Sequence, residues 1–342
     1  MVDTLKTLCC LSGVSGTEDE VRDYILERAM PYADAIRTDA MGNLLVHKKG
    51  EKQYAGVLML CAHMDEVGLI ITHITEDGYL RFDTVGDIDR RVIIGKKVYV
   101  GVGRVSGVIG IKAYHLVSKE EEQKVPKVDE LYIDIGADSR ASAQKMVSLG
   151  DTAVFDDNVL EFGEGFLKAK GLDSRLGCAV LLKLLEESLP CDVWFVFTVQ
   201  EQVGLRGAKV AAAQLEPKTA LIFDGVVAAD LPGVSGTNRV CALGKGPVLP
   251  FMDKGTIYTP AFTGTLITLA EQNGIAWQEQ SKMFGRTEAA AIQQAGGGVR
   301  TAMIGCGIRY MHTPASVGSL SDFEVVLKLA RLALVALAEE TI

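Results

Sequence analysis

The sequence predicts an α/β fold: a mixed, mostly parallel sheet sandwiched between helices, with a small β-barrel inserted into it. Apolar, β-branched runs alternate with helical patterns in the first and last parts of the chain, the rhythm of strands buried beneath crossover helices. From about residue 69 to 169 that rhythm gives way to short alternating runs set between glycines and acids, as in a barrel or sandwich. The run Asp192-Val-Trp-Phe-Val-Phe-Thr-Val199 stops abruptly at Gln200-Glu201-Gln202. In an open parallel sheet ligands bind beyond the carboxyl ends of the strands, so a polar cluster there is well placed for chemistry, although a solvated turn would read the same way.

Taken in order, residues 4–11 have helical apolar spacing, which Ser12-Gly-Val-Ser-Gly16 breaks. Thr17-Glu-Asp-Glu20 has the spacing of a capping box and is expected to open a helix that turns Val21, Tyr24 and Ile25 inward. Residues 39–43 read as a turn, 44–46 as a strand and 55–60 as the next, which runs into Cys61-Ala-His63-Met-Asp65-Glu66-Val-Gly68. In the inserted segment the expected strands are 69–74, 79–82, 97–100, 105–111, 131–135 and 152–155, with one helical patch at 141–147 and a charged, solvated loop between 114 and 129. The α/β alternation returns at Lys170: helices at 176–187, 207–215, 262–272, 287–294 and 321–339, and strands at 192–199, 219–223 and 299–304. The expected organisation is a catalytic body of residues 1–68 plus 170–342 and a β-rich insert of 69–169.

Composition narrows the function. The chain has 342 residues, 48% of them hydrophobic, enough for one large domain with an insert or for two domains. With 35 basic against 44 acidic residues the formal charge is −9, which argues against a nucleic-acid or anionic-membrane partner. Met1-Val-Asp-Thr-Leu-Lys6 places an acid where a signal peptide carries basic residues, and no apolar run approaches the length of a membrane span. The seven cysteines are scattered and never spaced Cys-x-x-Cys, so they are expected to be reduced core residues of a cytoplasmic protein.

Several polar residues fall at the ends of predicted strands. His63 and Asp65 face the same side of an extended chain, and a carboxylate there could accept a hydrogen bond from the far imidazole nitrogen and fix the tautomer that binds a metal. Asp173 opens a helix after Gly171-Leu172, Glu201 and Gln202 end one strand, Asp224 ends another and His312 follows a third. Each has an ordinary reading: Asp173 as an N-cap, Asp224 as the start of a turn, His312 as a histidine with no ligand. Together they form a mixture of imidazole and carboxylate that suits borderline cations such as Zn²⁺, whereas Mg²⁺ would favour oxygen alone.

Four blocks make the pattern specific: Cys61-Ala-His-Met-Asp-Glu-Val-Gly68, Gly171-Leu-Asp-Ser-Arg175, Thr198-Val-Gln-Glu-Gln-Val-Gly-Leu-Arg-Gly-Ala208 and Arg309-Tyr-Met-His312. In content and order they resemble the signature blocks of the glutamyl and deblocking aminopeptidases, the tetrahedral (TET) metallopeptidases, across nearly the whole chain. The resemblance implies a zinc-peptidase-like body with a dimerisation domain inserted between the first two blocks. It further implies that His63 and Asp224 hold one metal, that His312 helps to hold a second, that Asp173 bridges both, that Asp65 steadies His63 and that Glu201 is the general base. Zinc is expected, with cobalt or manganese as alternatives. Where the family carries a second glutamate as a ligand, this chain has Gln202, whose neutral amide costs the site a negative charge, so the second ion is expected to bind weakly. Arg286-Thr-Glu-Ala289 carries Glu288 where relatives read aspartate.

The expected function is a cytoplasmic metallo-aminopeptidase acting on short peptides and assembled through the insert into dimers and then a dodecamer. The alternative is a peptide-binding or assembly subunit that has lost full metal occupancy through Gln202. Release of an acyl group from an amino acid would use the same metals.

Overall fold

Strands buried on both faces need a helical layer on each side, and the computed structural model of the chain, which describes residues 1–283 and 285–339, has that arrangement. The chain enters its main sheet through β1 (Ala35–Thr38), β2 (Leu44–Lys48) and β3 (Leu58–His63). It then closes a barrel from β4 (Gly68–Ile74), β5 (Leu80–Val85), β6 (Lys97–Val100), β7 (Val105–Gly110), β8 (Tyr132–Asp134) and β9 (Thr152–Phe155). The remaining strands, β10 (Leu160–Phe162), β11 (Phe166–Ala169), β12 (Val193–Thr198), β13 (Thr219–Val227), β14 (Arg300–Arg309) and β15 (Ser316–Ser319), return to the main sheet. The segment that the sequence sets apart, 69–169, therefore contains nearly all of the barrel and two strands of the larger sheet.

Among the described residues the sheet has nine strands in the order β1-β2-β12-β3-β13-β14-β15-β11-β10. Parallel pairing is confined to the central four, β12-β3-β13-β14, and every outer pairing is antiparallel. That is narrower than the α/β alternation suggests, because β1, β10, β11 and β15 were not foreseen. They are short, and β1 and β10 are largely exposed, so they lack the apolar run that marks a buried strand.

The helices are α1 (Val2–Cys10), α2 (Asp19–Ala29), α3 (Lys119–Glu122), α4 (Arg140–Ala143), α5 (Leu172–Leu185), α6 (Arg206–Leu215), α7 (Pro260–Gln272), α8 (Ala289–Ile292) and α9 (Leu320–Ala338). Successive residues of a strand point to opposite faces. Leu58, Leu60 and Ala62 of β3 accordingly pack with α1, α2, α5, α7 and α9, whereas Met59 and Cys61 pack with α6 and α8. The barrel has its own core, built on Leu69, Phe82, Val98, Ile133 and Phe155. Twelve positions of α5 are buried, each fully covered leucine contributing about 1.5–3 kcal/mol. Gly177 is what lets this helix lie on the sheet, since a Cβ there would meet the Phe223 carbonyl at 2.6 Å and Ala62 at 2.7 Å.

The capping box expected at Thr17–Glu20 does not form. α2 starts after Glu18 with no side-chain cap. The two acids are used elsewhere: Glu20 accepts from Ser12 N at 2.9 Å, and Glu18 accepts from Gly16 N at 2.8 Å and Gln200 N at 3.0 Å. The charged loop holds α3, a single capped turn, and the helix expected at 287–294 shortens to α8. All seven cysteines are free, and among the described residues no helix is long and apolar enough to cross a membrane.

A buried ion cluster ties α1 to the body. Glu66 Oε1 accepts from Lys170 Nζ at 2.7 Å and lies 3.4 Å from Arg175 Nη2, all three side chains being at most 3% exposed. The two cations also donate to main-chain carbonyls at the end of α1, Lys170 to Leu11 and Arg175 to Leu8. Removing the carboxylate strands two buried charges, so Glu66→Ala should lower unfolding stability in urea by about 3–5 kcal/mol. Glu51→Ala, on an exposed side chain, should change it by no more than about 0.5 kcal/mol.

Candidate metal centre

The carboxyl ends of the central parallel strands converge on one place. β3 ends at His63, opposite Thr198, the last residue of β12. Glu201 follows β12 after a left-handed turn at Gln200 (φ +56°), Asp224 lies within β13 and His312 follows β14. Asp173 arrives from the first turn of α5, where it and Ser174 are not helical, so that the regular helix runs from Arg175.

Both histidines are oriented by main-chain carbonyls. His63 Nδ1 is 3.0 Å from the Asp65 carbonyl and His312 Nδ1 is 3.0 Å from the Asp87 carbonyl. A carbonyl only accepts, so each Nδ1 carries the proton and each Nε2 presents its lone pair. What those lone pairs face is negative. His63 Nε2 lies 3.4 Å from Asp224 Oδ1, 3.8 Å from Asp173 Oδ1 and 3.9 Å from Glu201 Oε2, and among the described residues it hydrogen-bonds to none of them. His312 Nε2 lies 3.2 Å from Asp173 Oδ2. Lone pair against carboxylate is repulsive, and a positive species between them, either a proton or a metal ion, resolves it.

The titration of the metal-free groups has the same origin. Burial opposes a charged His63, but Glu201, Asp173, Asp224 and Asp65 outweigh it and hold the imidazole well above its usual pKa. Burial, followed by the charge of Asp173, pushes Asp224 up to about 7. Burial also lifts Glu201 well above the carboxylate range, with Asp224, Asp65 and Asp173 adding to it against His63. Burial works against Asp173 as well, but His312 and His63 beside it keep it well below that range. His63, Asp173 and Asp224 each offer one ligand atom, all within 4.8 Å of one another. That orphaned imidazole nitrogen and that donor set fit a borderline divalent cation.

The other residues singled out in the sequence surround this group. Asp65 differs from expectation in detail: its carbonyl takes the imidazole proton at 3.0 Å, and its carboxylate lies farther from Nδ1, at 3.5 Å. The carboxylate is already committed, to Glu201 N at 2.9 Å, Gln202 N at 3.0 Å and Ser15 Oγ at 2.6 Å, and so fixes the Glu201-Gln202 segment. Gln202 Nε2 donates to Asp173 Oδ2 at 3.2 Å, beside His312. Glu288 is turned away under the sheet, where its carboxylate accepts from the Thr198 hydroxyl and, at 3.3 Å, from the Cys61 thiol. Gly225 sits so close that a Cβ would come 2.5 Å from Asp173 Oδ1. Sequence reasoning missed Ser15, Glu18 and Asp87. Ser15 lies in what reads as a helix break, and Asp87 acts through its backbone, so neither leaves a signal in spacing.

The cluster lies in the wall of a cavity of about 1230 Å³ that body and barrel share, lined by Asp173, Glu201, Asp224 and His312 from the one and by Asp87 and Arg91 from the other. Residues 42–329 match the M42 glutamyl aminopeptidase family. The chain is 37% identical over 331 residues to a protein of Acetivibrio thermocellus described as a putative aminopeptidase, covering 96% of this chain and 97% of that one. The structure of a TET aminopeptidase from a marine sediment Thaumarchaeota archaeon superposes with a TM-score of 0.93 at 30% identity, covering 100% of this chain and 98% of the other. For the TET1 peptidase of Pyrococcus horikoshii, which can assemble into a tetrahedron or a large octahedral shell, the TM-score is 0.86 at 35% identity, with 98% of each chain covered.

A cation that binds the folded cluster stabilises the fold by mass action. Zinc at a hundredfold its dissociation constant should add about 2.7 kcal/mol to the stability of the metal-stripped chain. Asp173→Ala should remove most of that gain in a thermal-shift titration, and a wild-type melting temperature indifferent to zinc would mean that the cluster is not a cation site.

Proposed function

The chain belongs to the M42 glutamyl aminopeptidase family, and from that premise we propose that it is a metal-dependent aminopeptidase releasing N-terminal residues from short peptides, with Glu201 as general base. The observation that carries this reading is His63 Nε2 aimed unpaired at Asp173, Asp224 and Glu201 in the wall of a cavity large enough for a peptide end. In the proposed site His63 and Asp224 would hold one ion, His312 and Gln202 would contribute to a second, and Asp173, which lies beside both histidines, would serve both. When bound, the ions, zinc in this proposal, would supply Lewis acidity to the attacking water and the scissile carbonyl.

The chain's own contribution is proton transfer and orientation. Glu201 accepts the water's proton on Oε2 and hands it to the departing amine as the C–N bond breaks. Its main chain is fixed by Asp65 on Glu201 N and by Glu18 on Gln200 N, so the carboxylate works from a rigid turn. Burial keeps it basic, and positive charge in the cluster offsets the excess.

Gln202 is the feature that favours a second reading. It donates an N–H to the Asp173 oxygen that the second ion would use, and its neutral carbonyl is a weaker ligand than a carboxylate. The second ion therefore binds less tightly than the first, and in the limiting case the chain is a peptide-binding or assembly subunit. We further propose that the barrel is the dimerisation unit of a larger homo-oligomer, in keeping with the shells formed by the Pyrococcus horikoshii peptidase, and that the protein works in the cytoplasm, where its free thiols stay reduced.

Hydrolysis of a panel of aminoacyl-anilides tests the enzyme reading. Glu201→Gln should cut turnover by about 10²–10⁴-fold while zinc remains bound, and retained activity would remove Glu201 as the base. Gln202→Glu should tighten the second ion about tenfold or more, the factor that 1.4 kcal/mol sets, and raise the rate with it. A wild-type chain that turns over none of the panel while binding peptides would favour the subunit reading.

A further inference from the structure

The barrel does more than border the cavity. β5 ends at Val85, and the chain then turns through Gly86 at φ +82°. A Cβ on Gly86 would lie 2.8 Å from Val67 Cγ1 and 3.2 Å from Gln202 Cβ, so this backbone is pressed against the residue that follows the base. The next residue, Asp87, supplies the carbonyl that takes the His312 Nδ1 proton at 3.0 Å. One short barrel segment thus bears on both Gln202 and His312. His63 and Asp224, in contrast, are set by the main sheet itself: His63 ends β3 in register with β12, and Asp224 lies within β13.

We infer that the Gly86-Asp87 segment of the barrel is a positioning element for the His312 side of the metal centre, fixing the His312 tautomer and the seating of Gln202 so that the second ion's affinity depends on where the barrel lies. This rests on the two-ion reading proposed above. His312 is only partly buried and has a left-handed backbone (φ +59°) on the loop after β14, so its ring depends on its two polar contacts, Asp173 and the Asp87 carbonyl. Loss of the carbonyl frees the ring to rotate and to place its proton on Nε2, where it cannot act as a ligand. Only glycine permits the approach, because any side chain at 86 drives the segment away from Gln202.

The test is calorimetric titration of Zn²⁺ into the metal-stripped full-length chain. Gly86→Ala should weaken the second ion about 10–100-fold, the usual effect of losing a histidine ligand's outer hydrogen bond, and leave the first ion's affinity unchanged. Gly150→Ala is the control: Gly150 lies in the same barrel at φ +87° with nothing within 4 Å of its would-be Cβ, so it carries the same backbone penalty without the push and should bind both ions as wild type does. If Gly86→Ala does not fold, one glycine inserted after Gly86 displaces the Asp87 carbonyl without adding a side chain, and the same selective loss is expected. A second ion indifferent to these changes overturns the proposal and leaves the two-ion reading standing. Equal weakening of both ions also overturns it, as general damage, and a wild-type chain that takes up one ion only overturns the two-ion reading and this inference together.

Discussion

Negative charge at the end of the central strands has to be met by positive charge. Asp173, Asp224 and Glu201 are buried around the unpaired Nε2 of His63, and Asp173 also faces the Nε2 of His312. With both Nδ1 protons committed to main-chain carbonyls, neither imidazole can relieve the crowding while neutral. Protons answer the problem in the metal-free chain, where His63 and Asp224 hold theirs above the usual range, and a divalent cation would answer it without a proton on Glu201. Most features of the site serve one side of this balance or the other.

The fold concentrates the charge without unfolding its surroundings by placing it where backbone hydrogen bonds run out. The four parallel strands are paired and covered along their length, and their carboxyl ends open into the cavity. Neighbouring groups then hold the loops that leave those strands: the Asp65 carboxylate on the backbone of Glu201 and Gln202, Glu18 on that of Gln200, and Asn43 on that of Val199 at 3.0 Å. These acceptors are not interchangeable with solvent, since burial and the charge of Asp65 already push Glu18 up to about 7. Positioning is therefore bought with further buried carboxylates.

Much of this was legible in the residues themselves. The strands that carry His63, Glu201 and Asp224 are apolar on both faces, so they announce themselves, and the polar residues that end them stand out by contrast. The barrel strands betray themselves by alternation. The strands that escaped notice, such as β10 with all three residues exposed, are held by pairing with a neighbour and carry little pattern of their own. At the site, side-chain chemistry could be anticipated, but main-chain chemistry could not. The carbonyls of Asp65 and Asp87 orient both histidines, and no residue identity encodes a carbonyl. The capping-box spacing at Thr17–Glu20 misled for a related reason: a tertiary demand, the unpaired amides of Ser12, Gly16 and Gln200, outweighed a local one.

The claim on which the rest depends is that a metal ion occupies the space in front of His63 Nε2. Anomalous diffraction at the zinc absorption edge, from crystals of the chain purified with zinc, addresses it directly. The account predicts a strong peak bonded to His63 Nε2 and to carboxylate oxygens of Asp173 and Asp224. A density map with no anomalous peak there, or with zinc bound only elsewhere on the molecule, would contradict it.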